Sequence, residues 1–255
     1  MIAAAHLASL PMYDWPEVRA ATDRFWAWIA HHAGLSVRLD HSSSHDALWR
    51  EPWFVFSQTC GYPFTHEFKG LLKYVGTPHY QADGCEGAQY RSMIFAREPV
   101  SLAGLKGARP AINSRDSMSG YLALKAVFAP FAQRGEFFAP TLVTGAHLKS
   151  LVAVREGRAD VCAIDAVCVG LARKHRPQDL EGLVEIARSP LVPGLPYVTR
   201  AGDAIKLREA VEAAIADPEL AEARAALLIG SFSVLPDAAY GQILALENSL
   251  LPLQL

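Results

Sequence analysis

Short apolar runs alternate with amphipathic stretches along most of the chain. The apolar runs have the length and the β-branched or aromatic content of buried strands. They are AAAHLASL (3–10), VRLD near 37, WFVFS at 53, LLKYVGT at 71, YRSMIFA at 90, ARPAIN at 108, ADVCAID at 159, VEIARS at 184 and PYVT at 196. Apolar residues at helical spacing predict helices between several of these runs, at about 119–132, 147–156, 204–217 and 218–229. The alternation predicts an α/β fold with mostly parallel sheets.

A further helix is expected directly after the first run. Asp14 is a suitable N-cap and Pro16 suits the first helical position. Apolar residues then recur at helical spacing from Val18 up to Gly34. The sequence therefore predicts a helix that begins a few residues after the first strand.

Composition narrows the class of protein. The chain has 255 residues, 51% of them hydrophobic, and 24 Lys and Arg stand against 26 Asp and Glu, which gives a formal net charge of −2. So apolar a chain can bury a large core, and this excludes a disordered or fibrous protein. The near-neutral charge and the absence of a basic block argue against a nucleic-acid partner. Pro, Gly or a charge interrupts every apolar run before the roughly 18 residues that a membrane helix needs.

The N-terminal residues bear on the compartment. Residues 1–13 contain no Lys or Arg, and the first basic side chain of that kind is Arg19. A secretory leader needs a positively charged segment before its apolar stretch. We therefore expect a periplasmic protein if a leader was removed or is missing from the chain, and a cytoplasmic one otherwise.

The loop after the strand ARPAI has the composition of an anion site. It reads NSRDSMSGY and precedes a predicted helix, so Ser117 or Ser119 can cap that helix, and Gly120 lets the backbone approach a bound group closely. N–H groups at the start of a helix, together with two hydroxyls, favour a bound anion. Taken locally, an ordinary serine cap without a ligand explains the same residues.

A second strand-to-helix loop carries His147 in the first turn of the next helix. A protonated imidazole there would donate a charge-assisted hydrogen bond to an anion, whereas a surface or core histidine is the simpler alternative. Two more loops carry Tyr13 with Trp15, and Gln58, Thr59 and Tyr62. These side chains can frame a small ligand. Otherwise Tyr13 and Trp15 staple the first helix and Tyr62 belongs to a turn.

Motifs of common enzyme classes are absent from the sequence. There is no phosphate-binding G-x-x-x-x-G-K-[ST], no G-x-G-x-x-G after a strand, no G-x-S-x-G and no H-E-x-x-H. Asp165 ends a strand and could face a cleft, but no residues assemble a nucleophile with its base. We therefore expect a non-catalytic protein without metal or cofactor.

The four cysteines fall into two pairs. Cys162 and Cys168 lie in an apolar run and are predicted to be buried thiols. Cys60 and Cys85 lie in loops rich in Gly and Pro, where a disulfide is possible in an oxidising compartment. No C-x-x-C motif supports a zinc site.

Taken together, the loops described above resemble those of the substrate-binding proteins of phosphate, phosphite and phosphonate ABC transporters. The matching phrases are LASLPMYD, QTCGYP, VGTPHYQADGCEGAQYRSMIF, LKGARPAINSRDSMSGYLAL, TGAHLKSL, VREGRADVCAID and SPLVPGLPYVT. The resemblance implies a type 2 periplasmic-binding fold, with two α/β lobes joined by two crossing segments and a ligand cleft between them. One lobe would comprise residues 1–97 and 192–255 and the other residues 98–191. The lobes would close over a small oxyanion by a hinge motion.

The same resemblance implies particular site residues. Ser117 and Ser119 match the serine-rich turn that holds the oxyanion, while Met118 departs from the usual hydroxyl residue there. His147 matches a histidine that contacts the same oxyanion, and Tyr90 matches an aromatic position. From the other lobe, Gln58, Thr59 and Tyr62 would line the cleft, as Tyr13 could. Arg91 would add positive charge unless it is a surface residue, and Asp165 would repel a dianion or accept a proton from a monoanion.

Two departures bear on the ligand and its destination. Val167 and Leu195 stand where aminoalkylphosphonate binders carry acidic residues, so an ammonium group would be left unpaired and such a ligand is not expected. The resemblance implies a monomer that delivers a phosphate-like, phosphite-like or phosphonate-like anion to a membrane permease. The alternative is an intracellular enzyme or a ligand sensor on the same fold.

Overall fold

The computed structural model describes residues 7–250 and 252–255. The chain divides into two compact units. Unit 1 contains the residues up to Gln81 together with Gly194–Asp237, and unit 2 contains Ala82–Pro193 together with the residues from Ala238 onward. The boundaries predicted from the resemblance differ from these, since they place residues 82–97, 192–193 and 238–255 in the first lobe. The strand Ser92–Ala96 lies in unit 2 because both of its hydrogen-bonded neighbours do.

The strands are short, as the apolar runs predict. They are β1 (Leu7–Ser9), β2 (Phe54–Gln58), β3 (Lys73–Tyr80), β4 (Cys85–Glu86), β5 (Gln89–Tyr90), β6 (Ser92–Ala96), β7 (Pro110–Ile112), β8 (Leu142–Val143), β9 (Val161–Asp165), β10 (Val184–Arg188), β11 (Val192–Pro193), β12 (Tyr197–Thr199) and β13 (Ile229–Ser233). The helices are α1 (Arg19–His32), α2 (His45–Arg50), α3 (Gly61–Thr65), α4 (Ala123–Phe128), α5 (His147–Arg155), α6 (Ala166–His175), α7 (Ala204–Ala216), α8 (Ala221–Ala226) and α9 (Gly241–Ser249). No helix among the described residues is long and apolar enough to cross a membrane.

Unit 1 is built on a five-stranded sheet in the order β1-β2-β12-β3-β13. Only β1 and β2 run parallel, and the other neighbouring strands are antiparallel. Strand β2 is buried along its whole length, which suits the three apolar residues with which it begins. A core cluster beside it consists of Leu48, Trp49, Phe54, Phe68, Leu72 and Val198. This packing fixes the end of β2, where Gln58 lies.

Unit 2 contains a five-stranded sheet in the order β10-β6-β9-β7-β8 and a small sheet in the order β11-β5-β4. Strands β8, β7 and β9 run parallel, and β6 and β10 join antiparallel. Helix α5 packs on β7 and β9. Because parallel strands end at the same edge, the loops that follow β7 and β8 lie together there.

Several predictions need correction. The sheets are mixed rather than mostly parallel, because β12 returns from late in the sequence and inserts antiparallel between β2 and β3. Helix α1 begins at Arg19 after Val18, so neither Asp14 nor Pro16 holds the predicted position. Asp14 instead accepts two hydrogen bonds from the Arg19 guanidinium, at 3.2 and 3.1 Å.

Two element boundaries also differ from the predictions. The run near residue 37 forms only an isolated bridge between Ala8 and Leu39. The helix expected up to residue 229 ends at Ala226, where the chain turns into β13. Residues 3–6 of the first predicted strand lie outside the described residues.

Candidate functional site

The loop after β7 enters a π-helical turn, Met118–Leu122, that leads into α4. Ser117 is its N-cap, and its Oγ accepts a hydrogen bond from the N–H of Gly120 at 2.9 Å. The carbonyl of Ser117 accepts from Tyr121 and Leu122 at 3.2 and 3.0 Å. Among the described residues, no hydrogen bond is made by the N–H of Ser119. The turn therefore offers the anion-binding donor that its sequence predicts.

The second predicted loop meets this turn. Helix α5 begins at His147, and the Oγ of Ser119 lies 2.8 Å from the Nε2 of His147. Ser117 Oγ lies 3.5 Å from Ser119 Oγ. We call these three side chains the oxyanion cluster. A serine within hydrogen-bond distance of an imidazole also has the spacing of a nucleophile and its base, and sequence reasoning did not find this contact.

Asn113 connects the two loops, and sequence reasoning missed it. Its backbone carbonyl accepts from the N–H of Gly145 at 2.9 Å. Its side chain packs on Gly120 so closely that a Cβ at that glycine would lie 1.8 Å from Asn113 Oδ1. Gly120 thus leaves room for Asn113, whereas the sequence suggested room for a ligand. The position of Asn113 directly after β7 is the one signal that could have indicated it.

Thr144 holds the second loop in place. Its hydroxyl bonds to the carbonyl of Ile112 at 3.0 Å and to Ser150 Oγ at 2.7 Å. The first bond ties the loop to the end of β7 and the second ties it to α5. Because both ends are fixed, His147 is held against Ser119 with little freedom.

Burial decides the charge of His147, whose Nδ1 is buried although the residue as a whole is half-buried. It lowers the pKa of the imidazole from 6.5 to about 4, and the backbone carbonyl of Ala163 opposes the shift only weakly. Nδ1 is buried without a partner of normal hydrogen-bond geometry among the described residues. His147 is therefore neutral at neutral pH in the free protein, contrary to the protonated imidazole that an anion contact suggests. Met118 is buried beside the two serines.

Asp165 caps a helix. It is 2% exposed, and its Oδ1 accepts from the N–H groups of Val167 and Cys168 at 2.7 and 3.1 Å. These bonds neutralise part of the positive end of α6 and fix the chain where β9 ends. Contact between Asp165 and a ligand stays a prediction.

Tyr90 and Arg91 lie next to each other around β5. Tyr90 is buried, and its strand pairs with β4 and β11. The Arg91 guanidinium donates to Glu86 at 2.6 Å. That ion pair offsets the positive charge that the sequence assigns to the site. Ligand contact by either residue stays a prediction.

The aromatic and amide residues of unit 1 form a second cluster. Gln58 Nε2 donates to Tyr80 Oη at 2.9 Å and to the carbonyl of Leu195 at 3.1 Å. Tyr13 packs edge-on against Tyr80 with ring centroids 5.3 Å apart. We call Tyr13, Gln58 and Tyr80 the amide cluster. It unites two predicted residues and one, Tyr80, that sequence reasoning missed.

Thr59 and Tyr62 lie beyond the end of β2. Thr59 is fully buried, and its N–H donates to the carbonyl of Pro196 at 3.1 Å. Tyr62 stacks on His66 with centroids 3.8 Å apart. Both residues have structural partners, and a ligand contact for them stays a prediction.

Cys60 and Cys85 are both present as thiols. Burial, together with the charge of Asp165, raises the pKa of Cys85 to about 12. The other pair, Cys162 and Cys168, is buried as expected. Among the described residues, no group of three or more His, Cys, Asp or Glu side chains is placed to hold a metal ion.

Comparison with known proteins identifies the family. Residues 55–233, more than half of the chain, match the family model of the phosphonate ABC transporter periplasmic substrate-binding protein. No curated protein sequence matches the chain. One similar solved structure is a binding protein component of an ABC phosphonate transporter from Pseudomonas aeruginosa, with a TM-score of 0.76 and 18% identity over 95% of this chain and 84% of that one.

Two further structures share the fold. PhnD1 from Prochlorococcus marinus in complex with methylphosphonate has a TM-score of 0.74 and 13% identity, over 95% of this chain and 96% of that one. A Xanthomonas citri protein bound to ATP has a TM-score of 0.69 and 18% identity, over 95% of both chains. These structures confirm the predicted type 2 periplasmic-binding fold. With the family match, they establish that this chain belongs to the periplasmic substrate-binding proteins of ABC phosphonate transporters.

Proposed function

We propose that this chain captures a phosphonate, phosphite or phosphate anion and that the oxyanion cluster of unit 2 holds its oxygens. The observation that carries this is the 2.8 Å contact between Ser119 and His147, since it brings the starts of two helical elements to one point. N–H groups at helix starts and hydroxyls are the donors that bind phosphorus oxyanions without net positive charge. The slightly acidic chain therefore has a local means of binding an anion.

The strength of such a site is adequate for a receptor. Micromolar affinity corresponds to about −8 kcal/mol. Hydrogen bonds to a charged group contribute about 1.5–3 kcal/mol each, so four or five of them reach that value after the cost of ordering the ligand. The hydroxyls of Ser117 and Ser119 and the N–H of Ser119 supply three of them, and His147 acts through its bond to Ser119.

We further propose that the protein is not an enzyme, although Ser119 and His147 have the spacing of a nucleophile and a base. A base with a pKa near 4 removes a hydroxyl proton poorly at neutral pH. The alternative base, Asp165, is engaged at the start of α6. A periplasmic location and delivery of the anion to a permease follow from the family and are part of the same proposal.

Thermal scanning with phosphate, phosphite and methylphosphonate tests the binding. A ligand at about 100 times its Kd raises stability by about 2.7 kcal/mol, which amounts to roughly 5–10 °C for a chain of this size. Sodium chloride at matched ionic strength should give no shift. A flat response to the whole panel would contradict the proposal.

A pair of serine variants tests the location. Ser117→Ala should reduce the shift strongly, because it removes both a donor and the cap of the π-helical turn. Ser101→Ala is the matched control, since Ser101 caps another turn of unit 2 by accepting from Gly104 at 3.2 Å. Both lose a cap, but only the first should lose the ligand. Equal losses in the two variants would place the ligand elsewhere.

A further inference from the structure

We propose that His147 takes up one proton from solvent when a dianionic phosphorus oxyanion binds, and that this turns the Ser119 hydroxyl toward the ligand as a donor. The inference rests on the proposed function and deepens it, because it names the charge form of the ligand and the proton balance of the site. It concerns the contact between Ser119 and His147, whose hydrogen bonds have to be complete both in the free protein and in the protein with a bound anion.

The hydrogen bonds of the free cluster engage the hydroxyl proton of Ser119, so the side chain has no proton to give a ligand. In a neutral imidazole, one nitrogen donates and the other accepts. The backbone group that interacts with the ring is the carbonyl of Ala163, which can only accept, so the ring proton belongs on the buried Nδ1. Nε2 then accepts the hydroxyl proton of Ser119 at 2.8 Å. An anion placed beside Ser119 would meet oxygen lone pairs.

Protonation of the imidazole reverses this arrangement. Nε2–H then donates to Ser119 Oγ, and the hydroxyl proton of Ser119 is released to point at an anion oxygen. Nδ1–H keeps its direction toward Ala163. One proton enters the protein, no covalent bond to the ligand forms, and each hydrogen of the pair has an acceptor.

The charges around His147 allow the bound anion to control this step. The elements packed on α5 are β6, β7, β9 and the turn Pro177–Asp179. Their titratable groups are otherwise occupied. Asp165 caps α6, Asp179 pairs with Arg155 at 3.7 Å, and burial keeps the Cys162 thiol neutral by raising its pKa. Lys149 of α5 and Tyr121 of the π-helical turn are the remaining ones, and none of these groups acts on the imidazole.

The oxyanion cluster itself carries no formal charge in the free protein. A dianion held there without a counter-charge would bear a large desolvation cost. A negative charge within a few ångströms favours the imidazolium form, so the ligand supplies the field that offsets the burial of His147. Uptake of a proton by His147 is therefore the way in which the Ser119–His147 pair can balance the charge of a bound dianion.

Isothermal titration calorimetry of the full chain with methylphosphonate, in two buffers of different ionisation enthalpy, counts the protons. The second ionisation of such ligands lies near neutral pH. We expect uptake of about one proton at pH 8.5 and about none at pH 5.5, where the ligand brings the proton itself. Above the ligand's second pKa, Kd should rise about tenfold for each pH unit. Binding with no uptake at pH 8.5 would overturn the inference and leave the proposed function standing.

A variant and a spectroscopic measurement locate the proton. In His147→Gln the amide donates to Ser119 without protonation, so uptake at pH 8.5 should vanish, while His175→Gln, in α6 of the same unit, should keep it. Uptake that persists in His147→Gln would place the proton on the ligand and overturn the inference. If the variant does not fold, long-range ¹H–¹⁵N spectra of the unmodified protein decide: at pH 7 the His147 ring should change from neutral to doubly protonated on adding methylphosphonate, and a ring that stays neutral contradicts the proposal. Absence of binding by every anion overturns the proposed function and this inference with it.

Discussion

The two units each place a polar cluster at the ends of sheet strands, and the clusters differ in how they use their hydrogen bonds. In the amide cluster of unit 1, Gln58 donates to both Tyr80 and the carbonyl of Leu195, and these bonds join β2, β3 and the segment before β12. In the oxyanion cluster of unit 2, Ser119 and His147 bond chiefly to each other. The first cluster completes its bonds within the fold, whereas in the second the N–H of Ser119 has no hydrogen-bond partner among the described residues.

This difference separates stability from binding. A buried amide with two partners stabilises the fold, and removal of such an amide leaves unsatisfied groups behind. A serine–imidazole pair with an additional unbonded N–H contributes little to the stability of the fold and much to the binding of an anion. Truncation of Gln58 in the amide cluster should therefore chiefly lower the free energy of unfolding, and truncation of Ser119 in the oxyanion cluster should chiefly lower affinity.

The largest expected effect comes from Gly120→Ala. The new Cβ would lie 1.8 Å from Asn113 Oδ1, so the π-helical turn and the loop with Gly145 cannot keep their present contact. We expect a loss of about 2 kcal/mol in the free energy of unfolding and an affinity at least roughly 100-fold weaker. Urea denaturation and calorimetry with methylphosphonate measure the two effects. Gly241→Ala, where a Cβ would meet nothing within 4 Å, is the control and should change neither.

The next pair sets one unit against the other. Ser119→Ala should weaken methylphosphonate binding by roughly 10- to 100-fold, with less than about 1 kcal/mol lost in stability, since it deletes a bond to a charged ligand. Gln58→Leu should lose about 1–3 kcal/mol in stability, because the carbonyl of Leu195 is left without its donor. The comparison fails if Ser119→Ala proves to be the more destabilising of the two.

Histidines in the two units should give opposite dependences of stability on pH. The pKa of His147 falls from 6.5 to about 4 on folding because the ring is buried. The unfolded chain therefore binds a proton between these values that the folded chain does not, and stability is lost as pH falls through this window. Partial access of solvent reduces the effect to about 1–2 kcal/mol.

His41 of unit 1 behaves in the opposite sense. Burial tends to lower its pKa, but hydrogen bonds to Asp23 and Asp14, both at 2.9 Å, raise it above 6.5. Its contribution is present below pH 6.5 and is lost as pH rises through the raised pKa. Urea denaturation from pH 4.5 to 8.5 should show a flatter acid limb for His147→Gln and a flatter alkaline limb for His41→Gln. The exposed His31 supplies the control substitution, and flattening on the same limb in both variants would contradict the assignment.

The contrast also explains how much of the molecule the sequence could predict. The buried strands β2 and β9 could be predicted because each begins with a short run of apolar residues. Helix α6 was missed because residues Ala166 to Ala172 are almost all buried, so the helix has no polar face to give a periodic pattern. The mixed sheets could not be predicted from the sequence because the pairing of β12 with β2 joins segments that are far apart along the chain.

The site was predictable in its parts but not in its contacts. Ser117 and His147 follow strands and open helical elements, and those are local signals. The bond from Ser119 to His147 spans 28 residues, and the fit of Asn113 against Gly120 depends on side-chain packing. The neutral state of His147 follows from burial, which no local pattern reveals.

The smallest effect concerns the thiols, which should react unequally without changing fold or binding. Thiolate is the reactive form, and a pKa near 12 instead of 9 leaves Cys85 roughly 1000-fold less of it at pH 8. We therefore expect iodoacetamide to label Cys85 far more slowly in the folded protein than in the urea-unfolded chain, as peptide mass spectrometry can measure. The same non-reducing peptide map tests the disulfide predicted between Cys60 and Cys85. A linked peptide would show that disulfide, whereas slow labelling with recovery of both thiols in urea would show that burial alone protects Cys85.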